Sequence, residues 1–230
     1  MKYSIFFFMG SIATASTAFR GETTSLFLLW CSLSLGIVAF GYGGLGARVV
    51  GKKSDGRMMP IAVLALAPYL VLTWLVWHFS RLIRREAPSN RLVEGVTVGR
   101  RLLGSEYPRH IQAVVDLTAE FPEVKVARMA DKYWAFPILD ASAPETEALV
   151  ALIDEIREFS GEIYIHCAEG HGRTALVAAS LLLIRGEVGN VEEAVHRVLE
   201  QRPGAHMNRV QRQALESLAN EASIPRAHSG

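Results

Sequence analysis

Cys167 and Arg173 stand at the two ends of a glycine-bearing loop in IYIHCAEGHGRTALVAASLLL, residues 163–183. The loop follows a short apolar strand-like run, EIYIH, and leads into Ala175 to Ile184, which is apolar almost all round and reads as a buried helix. A loop that closes over the start of a helix aims successive backbone N–H groups into one concavity, and the helix N-terminus adds partial positive charge. Such a site suits an anion. Ala168, Glu169, Gly170, His171, Gly172 and Arg173 form the loop. Gly170 and Gly172 permit a tight backbone path, and the planar fork of Arg173 matches two oxygens of a tetrahedral dianion such as phosphate. The same field favours the ionised, nucleophilic form of the Cys167 thiol, whereas an inert buried cysteine lacks an electropositive setting. These residues together describe a sulfur nucleophile aimed at phosphorus.

The elements that must position the loop form an α/β pattern from about Arg91 onward. LVEGVTVG and AVVDLT read as short strands, FPILD as the end of another, and EIYIH as the strand that feeds the loop. Ala148 to Phe159 places Leu149, Leu152, Ile153, Ile156 and Phe159 on one helix face, and Val191 to Leu199 repeats the pattern with Val191, Ala194, Val195, Val198 and Leu199. Strands alternating with helices predict a mainly parallel central sheet flanked by helices. Phe121, Trp134 and Phe136 lie beside strands and are read as core rather than as a substrate platform.

The front of the chain is different in kind. Half of the 230 residues are hydrophobic and the mean hydropathy is positive at +0.21, with the excess concentrated in three uncharged runs, 3–19, 25–47 and 59–79. About 20 apolar residues cross a bilayer core as a helix, so residues 1–85 are expected to be a transmembrane region and 86–230 the catalytic domain. REAPSN, residues 85–90, is the linker. The first run, with Lys2 before it and small residues at its end, also fits a signal peptide. Trp74, Trp77 and His78, followed by Arg81, Arg84 and Arg85, suit a membrane interface. Arg48, Lys52, Lys53 and Arg57 precede the third run, so the basic flanks of that run nearly tie.

Composition closes off other classes. Lys plus Arg number 24 against 23 Asp plus Glu, so no global field argues for nucleic acid. The two cysteines, Cys31 and Cys167, cannot make a disulfide framework; Cys31 is read as apolar filling and Cys167 as a free thiol. His110, His196 and His206 have no ligand spacing, and neither a metal nor another cofactor is called for.

His166-Cys167, five residues, then Arg173-Thr174 resembles the signature of the cysteine-based protein tyrosine and dual-specificity phosphatase superfamily. The likeness covers roughly residues 91–220. RLVEGVTVGR, AVVDLTAEFPE, HCAEGHGR and RPGAHMNRVQ look most like bacterial membrane-associated members and the mitochondrial phosphatidylglycerophosphate phosphatase. The resemblance implies a dual-specificity phosphatase-like α/β fold and a set of roles. Cys167 attacks and forms a phosphocysteine, Arg173 holds the transferring group, Thr174 helps release the thiolate, and His166 steadies loop and thiolate. The leaving oxygen needs an acid upstream. Asp140 in FPILDASAPE matches that position, with Pro144 expected to open the next helix, while Asp131 is the competitor. Glu169 would repel a highly phosphorylated headgroup and His171, if protonated, would help hold a second phosphate; both also read as solvated loop side chains.

The expected function is therefore a membrane-anchored phosphate monoester hydrolase acting on phosphorylated proteins. A phospholipid substrate is the alternative, since it would diffuse in the plane of the anchor. A phosphate-binding module without turnover is the alternative from another class, and the acid speaks against it because a pure binder has no use for one. A thiolate nucleophile persists in a reducing compartment, which places the catalytic domain in the cytoplasm.

Overall fold

A computed structural model describes residues 2–20 and 25–223; the last seven residues of the expected 86–230 domain lie outside it. The chain divides into two compact units. One consists of Met1–Arg85 together with Thr118–Glu123 and Pro137–Leu139, the other of Glu86–Leu117, Val124–Phe136 and Asp140–Gly230.

The first unit is built on three helices, α1 (Lys2–Ala18), α2 (Ser25–Phe40) and α3 (Pro60–Ile83). Two stretches, Ser25–Val50 and Pro60–Ile83, are long and apolar enough to cross a membrane, while α1 has 17 residues and falls short of that length. The second run, expected over 25–47, falls within Ser25–Val50, although its regular α-helix, α2, ends at Phe40. A π-helical turn, Gly41–Leu45, and a 3-10 turn, Gly46–Val50, follow it. Gly44 (φ 137) and Gly46 (φ 66) explain the change, because both occupy backbone space outside the helical region. Small residues let α1 and α2 approach and bond to each other: Ser11 Oγ donates to Ser32 O and Ser32 Oγ to Ser11 O, each at 2.8 Å, and a Cβ on Gly36 would lie 3.3 Å from Ser11 Oγ. Polar groups paired in this way are what an apolar surround demands. Val38, Val50, Leu66, Ala119 and Leu139 form the buried cluster of the unit. Lys52, one of the basic flank residues, donates its ammonium to the carbonyl and hydroxyl of Thr118, both at 2.7 Å.

A five-stranded sheet has the order β1-β2-β5-β3-β4, with β1 (Ser89–Val93), β2 (Val96–Arg100), β3 (Ala113–Thr118), β4 (Lys132–Ile138) and β5 (Ile163–Cys167). LVEGVTVG, read as one short strand, is the antiparallel hairpin of β1 and β2, turned at Gly95 with φ 74. β5 runs parallel to both β2 and β3, so Ile165 lies opposite Val98 on one side and Val115 on the other. This central strand is buried along its whole length, which is why its sequence is an almost unbroken apolar run.

Helices α4 (Lys125–Arg128), α5 (Thr146–Arg157), α6 (Gly172–Ile184), α7 (Val191–Gln201) and α8 (Arg209–Ser223) complete the chain. α5 buries Leu149, Leu152, Ile153 and Ile156, four of the five residues expected on that face; Phe159, the fifth, lies beyond the helix end at Arg157 and is half-buried. Pro144 does not open that helix: the N-cap is Glu145 and the first helical residue Thr146, so the proline fixes the approach instead. α6 is buried from Arg173 to Leu182, and α7 starts on Asn190, whose side chain accepts from Glu193 N at 2.9 Å. The end of the central strand and the start of the most buried helix thus meet across only four residues, 168–171.

Candidate active site

Carbonyl partners dictate the shape of this connection. Ala168 O accepts from Arg101 N at 3.1 Å and His171 O from Ala175 N at 2.7 Å, while the single side chain of Arg202 donates to Glu169 O at 3.2 Å and to Gly170 O at 3.3 Å. In a trans peptide the carbonyl and the following N–H point in opposite directions, so four carbonyls held on the outside turn the N–H groups of residues 169–172 the other way. Gly170 N–H donates to Cys167 Sγ at 3.3 Å, which confirms the direction for one of them. Gly170 has φ 73, and a Cβ there would collide with the backbone of Gly99 and Arg100, so only glycine fits. A Cβ on Gly172 would lie 2.6 Å from Gln211 Oε1. Both loop glycines therefore have packing reasons in addition to conformational ones.

Cys167, at 3% exposure, lies at the floor of the loop as a free thiol. Arg173, in the first turn of α6, has a side chain 2% exposed, and its Nη2 lies 3.2 Å from Asp140 Oδ1. The Asp140 side chain is 72% exposed, so this carboxylate sits at the mouth beside the buried guanidinium. Asp131, the rival acid, is exposed in the bend just before β4. Ala141, next to Asp140, is the described non-glycine residue with positive φ (54), a strained position that fixes the turn on which Asp140 stands. Asn208 Nδ2 holds Ala141 O at 2.7 Å and Gln211 Nε2 holds Ser142 O at 3.2 Å. These two side chains also cap each other's backbone N–H groups at the start of α8, at 3.1 and 3.0 Å.

Thr174 Oγ1 is buried with no hydrogen-bond partner among the described residues. His166 is fully buried, stacked on Tyr164 with centroids 5.4 Å apart, and its Nδ1 lies 3.4 Å from Cys167 O. Glu169 is half-buried. His171 is not the solvated side chain of the alternative reading: it is 5% exposed and its Nε2 lies 2.7 Å from Glu86 Oε2. Phe121 is buried, whereas Trp134 and Phe136 are half-buried, Trp134 donating to Glu155 at 2.8 Å.

Glu86 and Arg202 support the loop, and Asn208 and Gln211 the turn beside Asp140; none of the four was singled out by the sequence. Arg202 also donates to Ala87 O at 2.5 Å and Asn90 Oδ1 at 2.8 Å, and it pairs with Glu86 at 3.7 Å. Burial pushes its guanidinium below the ordinary arginine value, and the Glu86 carboxylate pulls it back up. The one available sequence signal was the run RPGAHMNRVQ, which contains three of the four.

Three comparisons with known proteins bear on this geometry. A family model described as "Dual specificity phosphatase, catalytic domain" matches residues 106–220. The chain is 38% identical over 66 residues to "Putative tyrosine phosphatase 197R" of Invertebrate iridescent virus 6, over 25% of this chain and 24% of the viral protein, so it spans about a quarter of that relative. Among solved structures, the active form of Tk-PTP superposes with a TM-score of 0.52 at 26% identity, over 58% of this chain and 97% of that one. PTPMT1 in complex with PI(5)P gives a TM-score of 0.52 at 15% identity, over 59% and 97%, and shows the fold.

Proposed function

Because the chain belongs to the dual specificity phosphatase family, we propose that it is a membrane-anchored hydrolase of phosphate monoesters that works through a phosphocysteine on Cys167. The observation that carries this reading is the loop itself, with its carbonyls held outward and the Gly170 N–H directed at Cys167 Sγ. The oxygens of a bound phosphoryl group take the place that these N–H groups and Arg173 face. Sγ attacks phosphorus, the S–P bond forms as the P–O bond breaks, and Asp140 gives its proton to the leaving oxygen. Water then passes a proton to Asp140 and attacks phosphorus, breaking S–P and releasing phosphate and thiolate. The Arg173–Asp140 ion pair is suited to this cycle, since the guanidinium turns to the phosphoryl oxygens and frees the carboxylate for the proton. Thr174 Oγ1, buried and without a described partner, is available to the departing thiolate, and His166 packs behind the loop.

Two features support the anchor. Two helical stretches have spanning length, and the helices carry outward-facing apolar side chains including Phe6, Phe8, Leu64, Leu72, Phe79 and Leu82. The catalytic unit is assigned to the cytoplasmic face, where thiols stay reduced. Phosphorylated protein is the first substrate class. The apolar helices favour a second reading, a phospholipid monoester reached within the bilayer plane, and PTPMT1, a neighbour in fold, is known in complex with PI(5)P.

The full chain in mixed phospholipid vesicles, offered soluble phosphotyrosine and phosphothreonine peptides or vesicle-borne phosphatidylglycerophosphate, decides between them. Turnover of the peptides with kcat/KM at least about tenfold above the lipid supports the first reading, and the reverse ratio supports the second. Phosphate binding without turnover of either substrate would leave a binding module.

A further inference from the structure

The phosphate loop is held from outside by a carboxylate that belongs to neither the loop nor the acid-bearing turn. Glu86 is the first residue of the catalytic unit, three positions after the end of α3. Its Oε2 lies 2.7 Å from His171 Nε2 and 3.7 Å from Arg202 Nη2. Both partners are nearly inaccessible, with side chains 6% and 2% exposed, while that of Glu86 is 35% exposed. The seat is shaped for the carboxylate: a Cβ on Gly204 would stand 2.6 Å from Glu86 Oε2.

Each partner reaches the loop by a separate route. His171 is itself a loop residue and the N-cap of α6, with its carbonyl closing the first turn at Ala175. Arg202 holds the two preceding carbonyls, Glu169 O and Gly170 O, the ones whose orientation turns N–H groups toward the thiol. A buried guanidinium with several backbone acceptors keeps one geometry only while its charge is balanced, and Glu86 is the acid that the structure pairs with it.

We infer that Glu86 is a positioning residue for phosphate binding, acting through His171 and Arg202 to hold the loop in its anion-binding form. The inference rests on the loop being the phosphate site. His171 is thereby committed to the brace and does not reach outward to a second phosphate.

The sign of the effect separates this role from simple electrostatics. A carboxylate near an anion site repels the anion through space, so removing its charge should tighten phosphate binding if charge alone matters. A brace predicts the opposite. Inorganic phosphate affinity and aryl phosphate kcat/KM would be measured on the full chain in detergent for wild type, Glu86→Gln, His171→Gln and the double variant, with Glu86→Asp as the conservative control. The expected result is a loss of about 10- to 150-fold in phosphate affinity for Glu86→Gln, the range of a charge-assisted hydrogen bond. The double variant should be no weaker than Glu86→Gln alone, since that variant already cuts the His171 link. Glu86→Asp should recover part of the loss, and melting temperatures within a few degrees of wild type would establish folding. Should Glu86→Gln not fold, Glu86→Asp carries the same expected sign at smaller size. Unchanged or tighter phosphate binding, or additive losses in the double variant, would overturn the brace. Failure of the phosphatase reading is separable: wild type would then lack turnover, while the phosphate-affinity arm would still report on Glu86.

Discussion

Cys167→Ser is expected to lower turnover of an aryl phosphate by roughly four orders of magnitude or more, the scale seen when a covalent nucleophile is removed. A serine hydroxyl keeps nearly the same size at the floor of the loop but is scarcely ionised near neutral pH, so it presents no anion for the attack. The cradle is made by other groups. The carbonyls of residues 168–171 are held by Arg101 N, Arg202 and Ala175 N and not by the thiol, so inorganic phosphate affinity should stay within about threefold of wild type. Parallel loss of binding and turnover would mean that the substitution broke the site instead of removing the nucleophile. Cys31 lies in α2 and is half-buried there, so Cys31→Ser should leave turnover unchanged.

The second large effect concerns Asp140. Asp140→Asn keeps the shape of the side chain and removes the transferable proton, so alkyl phosphates, whose alkoxide leaves poorly, should slow by about 10²- to 10⁴-fold. Aryl phosphates with good leaving groups should lose far less in the first step. For them hydrolysis of the phosphocysteine becomes limiting, because the second step also relies on Asp140, as the base for water. The Asp131→Asn variant should behave as wild type, its carboxylate being exposed in the bend just before β4, whereas Asp140 is paired with Arg173. Swapped behaviour of the two variants would reassign the acid.

These residues differ in how far the sequence alone revealed them. Cys167, the loop and α6 were legible because they are contiguous: a buried strand, two glycines and an apolar helix leave one path for the chain. The mainly parallel sheet followed from the alternation of strands and helices, although the β1–β2 hairpin was hidden in LVEGVTVG by a single Glu-Gly step. Asp140 was proposed as the acid from likeness to a family and not from any local pattern. The supports were invisible for a physical reason. Glu86 meets His171 across 85 positions of sequence and Arg202 meets Ala87 across 115, so nothing in the local spacing of either residue distinguishes it from a solvated charge. The same applies to Thr118–Glu123 and Pro137–Leu139, which pack as members of the helical unit although no composition change marks them. Glycine changed the helix geometry of the second apolar run after Phe40 for a reason that periodicity does not register, since Gly44 and Gly46 adopt positive φ.

The phosphocysteine is the central claim, and Asp140→Asn offers the means to trap it. That variant should still transfer phosphoryl from an aryl phosphate with a good leaving group, but it should release the enzyme slowly, so the intermediate accumulates. Rapid acid quenching of the full chain during turnover, followed by peptide mass spectrometry, would show where the phosphoryl group resides. The account predicts one added phosphoryl group on the peptide containing Cys167, absent from the Cys167→Ser, Asp140→Asn double variant. A phosphoryl group on another residue, or a burst of aryl product with no phosphorylated peptide at Cys167, would contradict it.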